Sequence, residues 1–288
     1  MNFLKVLILA VVQGACELLP VSSSAHVIIA SKLMNMDPPS SPPMTFLLIL
    51  LHTGTMFAVI VYFWRAWREH YFASAPVFWD TVRLVAVASF LTAIVYKALE
   101  LVIKKAVMRG APDAEIENLF DNLPLIAGAL FAVGVLIIVA GLFNIRPSRT
   151  SQIGMREAAW IGAVQGLCIP FRGFSRSGAT ISTGLILGAP KQRLEEFSFA
   201  LAVVLTPAAI AKEAHRLLKS LHGIPASQSP GLAHVALPGL VGMFCSFAAG
   251  LLALRLLSRW LEGGRWQFFG FYCLAVSAFV FFLSWRGY

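Results

Sequence analysis

The sequence predicts an all-α polytopic membrane protein with six full spans and two re-entrant helical hairpins, the hairpins related by an inverted-topology repeat. Three observations predict it. Of 288 residues, 58% are hydrophobic and only 13% charged, whereas a soluble domain averages about 25% charged residues. Six apolar stretches are long enough to cross a bilayer, which takes about 20 residues. Two further apolar stretches are interrupted by polar, proline-containing breaks, and the two resemble each other in sequence.

The first element is the interrupted stretch at about 3–34, broken at Leu19-Pro20-Val21-Ser22-Ser23-Ser24. Each half is too short to cross alone. An irregular, polar break at membrane depth is tolerated only where it is buried in protein or lines a wet cavity, so the segment reads as a hairpin that enters and returns. One Lys precedes the opening apolar run, but no small-residue cleavage pattern follows, so the run is expected to be retained. Full spans follow at about 44–64, 82–103 and 123–145. The second interrupted stretch runs over about 157–189 and breaks at Pro170-Phe171-Arg172-Gly173-Phe174-Ser175-Arg176-Ser177-Gly178. Spans at about 197–218, 235–257 and 266–286 complete the chain.

Val12-Gln13-Gly14-Ala15-Cys16 matches Val164-Gln165-Gly166-Leu167-Cys168 at constant offset, and proline and a serine-bearing turn follow in both. Three full spans separate the hairpins, so the second enters from the side opposite the first. That is the pattern of paired breaks meeting near the midplane. The chain is read as a single integral membrane domain over 1–288, with a first repeat of about 1–145 and a second of about 150–288. In this topology the loops at 65–83, 146–156, 188–196 and 255–265 share one side and carry the larger share of Lys and Arg. The positive-inside rule places them in the cytoplasm and both termini outside. The loop at 104–122 is acid-bearing, which weighs little in that rule, and 37–43 and 223–237 are Pro-, Ser- and Gly-rich connections.

The net charge of +9 is spread between apolar runs, with no basic block or aromatic platform, so it fits membrane flanks meeting anionic headgroups and argues against nucleic acid. Cys16, Cys168, Cys245 and Cys273 lie in apolar stretches without a CxxC spacing and read as small hydrophobes.

Glu17 lies inside an otherwise apolar helix. A buried carboxylate is costly unless paired or protonated, and an intramembrane ionisable residue is functional by default. It is a candidate base, orienting partner or metal ligand. Ser22, Ser23 and Ser24 follow the Pro20 break and open the next half-helix. One serves as N-cap, and together they exceed what a cap needs. A helix start offers free N–H groups and a positive dipole end, which favour an anion. His26 lies three residues beyond Ser23 and can face the same pocket as nucleophile, base or acid. Arg176 stands before the second half-helix, where its planar fork of donors matches phosphate oxygens. Gly173 and Gly178 allow close backbone approach there. Arg172 is either a second phosphate contact or a residue that snorkels to the surface. His52 and Thr53 lie mid-span and are weaker candidates for the same cavity. Lys97 and Glu100 are expected to pair at i,i+3. Glu195 and Glu196 read as acids suited to a helix start. His70, His215, His222 and His234 suggest nothing specific. An Arg, two helix starts, a carboxylate and a Ser/His pair at membrane depth suit phosphoryl chemistry on a lipid headgroup.

Both motifs together resemble the bacitracin-resistance family of undecaprenyl-diphosphate phosphatases. The first family motif is similar to Gln13-Gly14-Ala15-Cys16-Glu17-Leu18-Leu19-Pro20-Val21-Ser22-Ser23-Ser24-Ala25-His26. The second is similar to Gly173-Phe174-Ser175-Arg176-Ser177-Gly178-Ala179-Thr180-Ile181. Leu187-Gly188 and Glu196-Phe197-Ser198-Phe199 match as flanks, and the order of spans agrees along nearly the whole chain. The resemblance implies removal of the terminal phosphate from undecaprenyl pyrophosphate at a bacterial plasma-membrane site open to the outer face, which recycles the lipid carrier for cell-wall synthesis and confers bacitracin resistance. It implies Glu17, Ser23, His26 and Arg176 as the catalytic set. Gln13, Ser22, Ser24, Gly173, Ser175, Ser177, Gly178 and Thr180 would bind the substrate.

No dedicated metal site or tightly bound cofactor is expected, since one carboxylate does not make a cage. Mg2+ or Ca2+ bridging phosphate to Glu17 is a candidate assistant. The expected partners are a polyprenyl pyrophosphate, membrane lipids and, as a candidate, a second copy of the chain. Whether Ser23 or His26 attacks stays open, with a slight lean to His26 and Ser23 on phosphate. The chain departs from the family pattern at Gln13 (usually Glu in many relatives), Ala25 (usually Gly), Arg172 (usually Pro) and the late Pro207. The alternative from another class is a transporter or flippase of undecaprenyl phosphate or a related polyprenyl phosphate, which inverted repeats with broken helices also suit. The type-2 phosphatidic acid phosphatases are excluded, because no His follows Arg176 until His215.

Overall fold

The computed structural model describes residues 2–38, 41–106, 122–143, 152–221 and 232–287. Much of the acid-bearing loop at 104–122, the junction between the two expected repeats, most of the connection at 223–237 and His222 lie outside them, as does part of the 37–43 connection. Among the described residues the structure is helical throughout, with ten helices and no strand. In order they are α1 (Phe3–Leu18), α2 (Ser23–Leu33), α3 (Pro42–His70), α4 (Ala75–Ala106), α5 (Leu123–Phe143), α6 (Met155–Cys168), α7 (Arg176–Leu187), α8 (Lys191–Leu221), α9 (Leu232–Glu262) and α10 (Gln267–Trp285).

Six of these are long and apolar enough to cross a membrane: α3, α4, α5, α8, α9 and α10. They are the six stretches the hydropathy pattern predicts. Several run past the predicted bounds. α3 continues to His70 and α8 begins at Lys191, because a helix need not stop where its apolar window stops. A helix of 29 residues, such as α3, is about 44 Å long against a hydrocarbon core of about 30 Å. Pro207 and Pro238 lie inside α8 and α9. Each removes one backbone donor, which membrane helices tolerate when neighbours re-satisfy the freed carbonyl.

The two interrupted stretches form helix–break–helix pairs. α1 and α2 have 16 and 11 residues and pack on one another. α6 and α7 have 14 and 12 and do the same. At 1.5 Å per residue none of the four reaches about 30 Å.

The chain divides into two compact units. The first comprises Met1–Leu18, Ser23–Tyr62 and Ala202–Arg255; the second comprises Leu19–Ser22, Phe63–Leu201 and Leu256–Tyr288. Neither coincides with the first or second half of the sequence.

In the first unit, Val6, Leu9, Ala10, Val27, Met44, Leu47 and Leu51 form a buried cluster of α1, α2 and α3. α9 closes onto α1 and α3 through small residues. A Cβ on Gly14 would strike the Ser246 carbonyl, and one on Gly54 would strike the Met243 carbonyl. The Ser246 hydroxyl donates to the Leu51 carbonyl at 3.0 Å. Close backbone approach at small residues is how helices associate where lipid removes the hydrophobic driving force.

In the second unit, α4 packs on α6, α5 on α10 and on α7. Thr92 Oγ1 lies 2.9 Å from the Gly162 carbonyl, which it bonds, and accepts from Gln165 Nε2 at 3.1 Å. Trp266 Nε1 donates to Ser182 Oγ at 3.0 Å, and Ser277 Oγ to the Ala127 carbonyl at 2.7 Å. Lys97 pairs with Glu100 at 2.7 Å as the spacing predicts, and Lys104 joins from the other side at 3.1 Å. Glu195 and Glu196 sit within α8 rather than at its start. Buried Glu196 accepts from His70 Nδ1 at 2.8 Å and from Arg193 at 3.4 Å, and Glu195 accepts from Ser258 at 2.7 Å. His70, which the sequence places near a loop, is therefore a tie between the end of α3 and α8.

Candidate active site

The predicted site residues fall in two clusters, one in each unit. The first gathers on Glu17, at the C-terminal end of α1. Three groups converge on its Oε2. Ser23, the first residue of α2, donates its hydroxyl to it in a short hydrogen bond. Gln13, one turn earlier on α1, donates from Nε2 at 3.1 Å. His52 Nε2 of α3 stands 4.0 Å away. The Glu17 side chain is 22% exposed and that of His52 38%, while Gln13 is completely buried. The carboxylate is thus backed by protein and still reachable from one side. His26 lies one turn beyond Ser23 on α2, half-buried. The spacing keeps it on the face of Ser23.

A hydroxyl donating to a carboxylate is the arrangement of a nucleophile beside its base. The carboxylate can accept the hydroxyl proton as the oxygen attacks. Gln13 cannot share that role. Its amide can only donate to Glu17, and its Oε1 is buried with no hydrogen-bond partner.

The second cluster surrounds the start of α7 and includes the turn Leu19–Ser22. Ser175 is the N-cap, with its hydroxyl accepting from Gly178 N at 3.2 Å. Ser177 donates to the Leu19 carbonyl at 3.2 Å. Gly178 lies under Pro20, so closely that a Cβ would be 3.2 Å from the Pro20 carbonyl. That carbonyl also accepts from Cys273 Sγ at 3.4 Å. The tip of the first break therefore rests on the start of the second half-helix. Two left-handed residues shape the turns: Gly173 at φ 101° and Ser22 at φ 68°. At Gly173 a side chain would also meet the Ile126 carbonyl at 2.6 Å. At Ser22 a non-glycine residue holds the left-handed conformation, a strain of order 1–3 kcal/mol that the surroundings must hold in place.

Arg176 is the half-buried first residue of α7. Its Nη1 donates to the Ser198 carbonyl at 3.4 Å, and the guanidinium lies 6.0 Å from the Phe199 ring centroid. Phe199 stacks on Phe63 at 5.3 Å. Thr180 is completely buried. Its hydroxyl donates to the Arg176 carbonyl at 2.8 Å and lies 2.6 Å from Ser198 Oγ. Thr180 thus ties the first turn of α7 to α8 and does not present its hydroxyl outward. Ser22, Gly173, Ser175, Ser177 and Gly178 are buried as well, Ser24 and Arg172 half-buried.

From sequence His52 is a weak candidate, and Ser198 and Phe199 are only flanking matches. A signal existed for His52, because an ionisable residue in the middle of an apolar span is uncommon without a role. None existed for Ser198 and Phe199, whose contacts to Arg176 and Thr180 are made across the fold. Among the described residues, no three His, Cys, Asp or Glu side chains converge as metal ligands.

The sequence profile described as bacitracin resistance protein BacA matches residues 6–279. The chain is 54% identical over 284 residues to undecaprenyl-diphosphatase 2 of Acinetobacter baylyi, covering 99% of both chains. It is 33% identical over 279 residues to the undecaprenyl-diphosphatase of Idiomarina loihiensis, covering 93% of this chain and 94% of that one. It is 29% identical over 292 residues to the undecaprenyl-diphosphatase of Bdellovibrio bacteriovorus, covering 100% and 98%. With the profile matched along nearly its whole length, the chain belongs to the bacitracin resistance protein BacA family.

Proposed function

We propose that the chain hydrolyses undecaprenyl pyrophosphate to undecaprenyl phosphate and inorganic phosphate in the bacterial plasma membrane. The product is the lipid carrier of cell-wall synthesis, and bacitracin resistance is consistent with the family. Family membership supports the substrate class. The single observation that carries the chemistry is the hydrogen bond from Ser23 to Glu17.

In this reading Glu17 takes the proton of Ser23 as the hydroxyl oxygen attacks the terminal phosphorus. The bond from that phosphorus to the bridging oxygen breaks, and undecaprenyl phosphate leaves with the electron pair. Water then hydrolyses the phosphoserine, giving inorganic phosphate and the free hydroxyl. His26, on the same face, is placed to protonate the leaving oxygen and to activate the water. Attack by His26 itself is the competing assignment, but the hydrogen bond between Ser23 and Glu17 favours Ser23. Arg176 and the amides at the start of α7 would bind the diphosphate and stabilise charge on the transferred phosphoryl group. That both motifs serve one headgroup is what family membership implies.

Mg2+ or Ca2+ fits as a companion of the substrate. Glu17 is a hard oxygen donor with a partly exposed side chain, and one carboxylate falls short of a cage, so phosphate oxygens and water would complete the shell. A bound cation would neutralise diphosphate charge there.

We read the two helix–break–helix pairs as re-entrant hairpins of an inverted repeat. Three contacts support this. α1 meets α9 at Gly14, α6 meets α4 at Gly166, and α5 meets α10 where Gly134 and Gly270 each face the other's carbonyl. Exchanging the first five helices for the second five turns the first contact into the second and returns the third to itself. The distribution of Lys and Arg favours a site open to the outer face. A homodimer is a separate proposal, tested by the mass of the protein in detergent. The repeat also suits a lipid carrier, but a carrier has no use for a hydroxyl–carboxylate pair.

The test is phosphate release by detergent-purified protein from a long-chain polyprenyl pyrophosphate, beside Glu17→Ala, His26→Ala and Arg176→Ala. Release by wild type, lost in variants that keep the wild-type thermal unfolding, is expected. No release at any chain length, with or without divalent cations, would overturn the phosphatase reading in favour of the carrier.

A further inference from the structure

The site reading assigns no task to His52, yet His52 completes the surroundings of the Glu17 carboxylate. Gln13 Nε2 stands 3.1 Å from Glu17 Oε2 and 3.3 Å from His52 Nδ1. An amide nitrogen carries two protons, so one donates to the carboxylate and the other to the imidazole. With Nδ1 as acceptor, the ring proton resides on Nε2, the nitrogen 4.0 Å from the same carboxylate oxygen. The Leu48 carbonyl, 3.0 Å from Nδ1, competes by favouring the other tautomer. That tautomer would turn the Nε2 lone pair toward Glu17 and leave the second proton of the Gln13 amide without its acceptor. Only the tautomer protonated on Nε2 lets Nδ1 accept from Gln13.

The frame behind these side chains is stiff. Gly14 adjoins Gln13, Gly54 lies two residues after His52, and both meet α9 backbone at distances that exclude a Cβ. Ser246 of α9 bonds the carbonyl of Leu51, the residue before His52. The separation between α1 and α3 at this level is therefore fixed by backbone packing, and the polar side chains inherit it.

We propose that His52 is a positioning residue for the phosphatase reaction. By accepting from Gln13 it orients that amide so that its nitrogen faces Glu17, which holds the carboxylate in register with Ser23. A Gln without an acceptor on its far side could present either its oxygen or its nitrogen to Glu17, and the oxygen would repel it. The inference rests on the reading of Glu17 as the base for Ser23.

The test is steady-state phosphate release from a long-chain polyprenyl pyrophosphate by full-length protein in detergent, for a series graded by reach. His52→Phe keeps the ring and removes the acceptor. His52→Asn is polar but too short. His52→Gln can still accept from Gln13. The expected result is a fall in kcat of order 10–100-fold for the Phe and Asn variants with KM within about threefold, and kcat within about fivefold of wild type for Gln. In a cycle with Gln13→Met, adding His52→Phe costs nothing further, because the link is already cut. A purely structural role would instead lower the thermal unfolding temperature, spare no variant by reach, and multiply with Gln13→Met. Wild-type kcat in both the Phe and Asn variants, or multiplicative loss in the cycle, overturns the proposal. Glu17→Ala separates the two failures. If it stays active, the base assignment falls and His52 with it; if it is inactive while His52→Phe and His52→Asn are not, only the role of His52 falls.

Discussion

The two helix–break–helix pairs begin alike and end in different chemistry. Both carry Val-Gln-Gly-x-Cys before the break, and both open the second half-helix at a serine or one residue after it. In the first pair the helix before the break carries an acid in its last turn, and the polar side chains bond mainly to one another: Ser23 to Glu17, Gln13 to Glu17 and to His52. In the second pair the polar side chains bond mainly to backbone: Ser175 to Gly178 N, Ser177 to the Leu19 carbonyl, Thr180 to the Arg176 carbonyl. Side chains bonded to side chains can exchange protons. Hydroxyls committed to backbone can only hold a shape. In the proposed reading, one helix–break–helix pair thus provides a proton-transferring cluster and the other a rigid mount for the Arg176 guanidinium.

Substitutions can break that comparison in order of size. Glu17→Ala removes the acceptor of the Ser23 proton and should lower kcat by about 10²–10⁴, the range of a general base. Arg176→Lys keeps the charge and loses the fork. Phosphate release should fall by about 10²-fold, chiefly through weaker binding of the pyrophosphate, which a KM rise in the same assay would report. Thr180→Val is isosteric and cuts the tie to Ser198 and the Arg176 carbonyl. About tenfold lower kcat/KM is expected with little change in the acid-dependent step. Away from both clusters, Glu196→Ala should leave turnover per folded molecule unchanged and lower stability by about 1–3 kcal/mol in detergent unfolding. The loss falls below that of a fully buried pair, because the freed Arg193 side chain is already 26% exposed and can turn to water.

Much of this fold is legible in the sequence for a plain reason. A bilayer rewards about 20 apolar residues per crossing, so the six spans declare themselves by composition. The breaks declare themselves by Pro20 and by the glycines and serines around Arg176. Glu17 and Arg176 stand out because charge at membrane depth is expensive. What the sequence hides is mostly long-range. His52 meets Gln13 across 39 residues of chain and Ser198 meets Thr180 across 18, and no local pattern encodes either pairing. Helix ends beyond the apolar window, such as the last turn of α3 with His70, are hidden too, because hydropathy falls where the lipid ends and the helix continues. Thr180 illustrates a third limit. A hydroxyl in a serine- and glycine-rich turn looks available, and only its neighbours show it spent on the backbone.

The division of labour between the two clusters is tested most directly by equilibrium binding of a long-chain polyprenyl pyrophosphate to Glu17→Gln and Arg176→Lys in detergent. The account predicts that Glu17→Gln binds with near wild-type affinity and releases no phosphate, whereas Arg176→Lys binds at least tenfold more weakly. Lost binding in Glu17→Gln together with intact binding in Arg176→Lys would contradict it, and would move the anion site from the start of α7 to the cluster around Glu17.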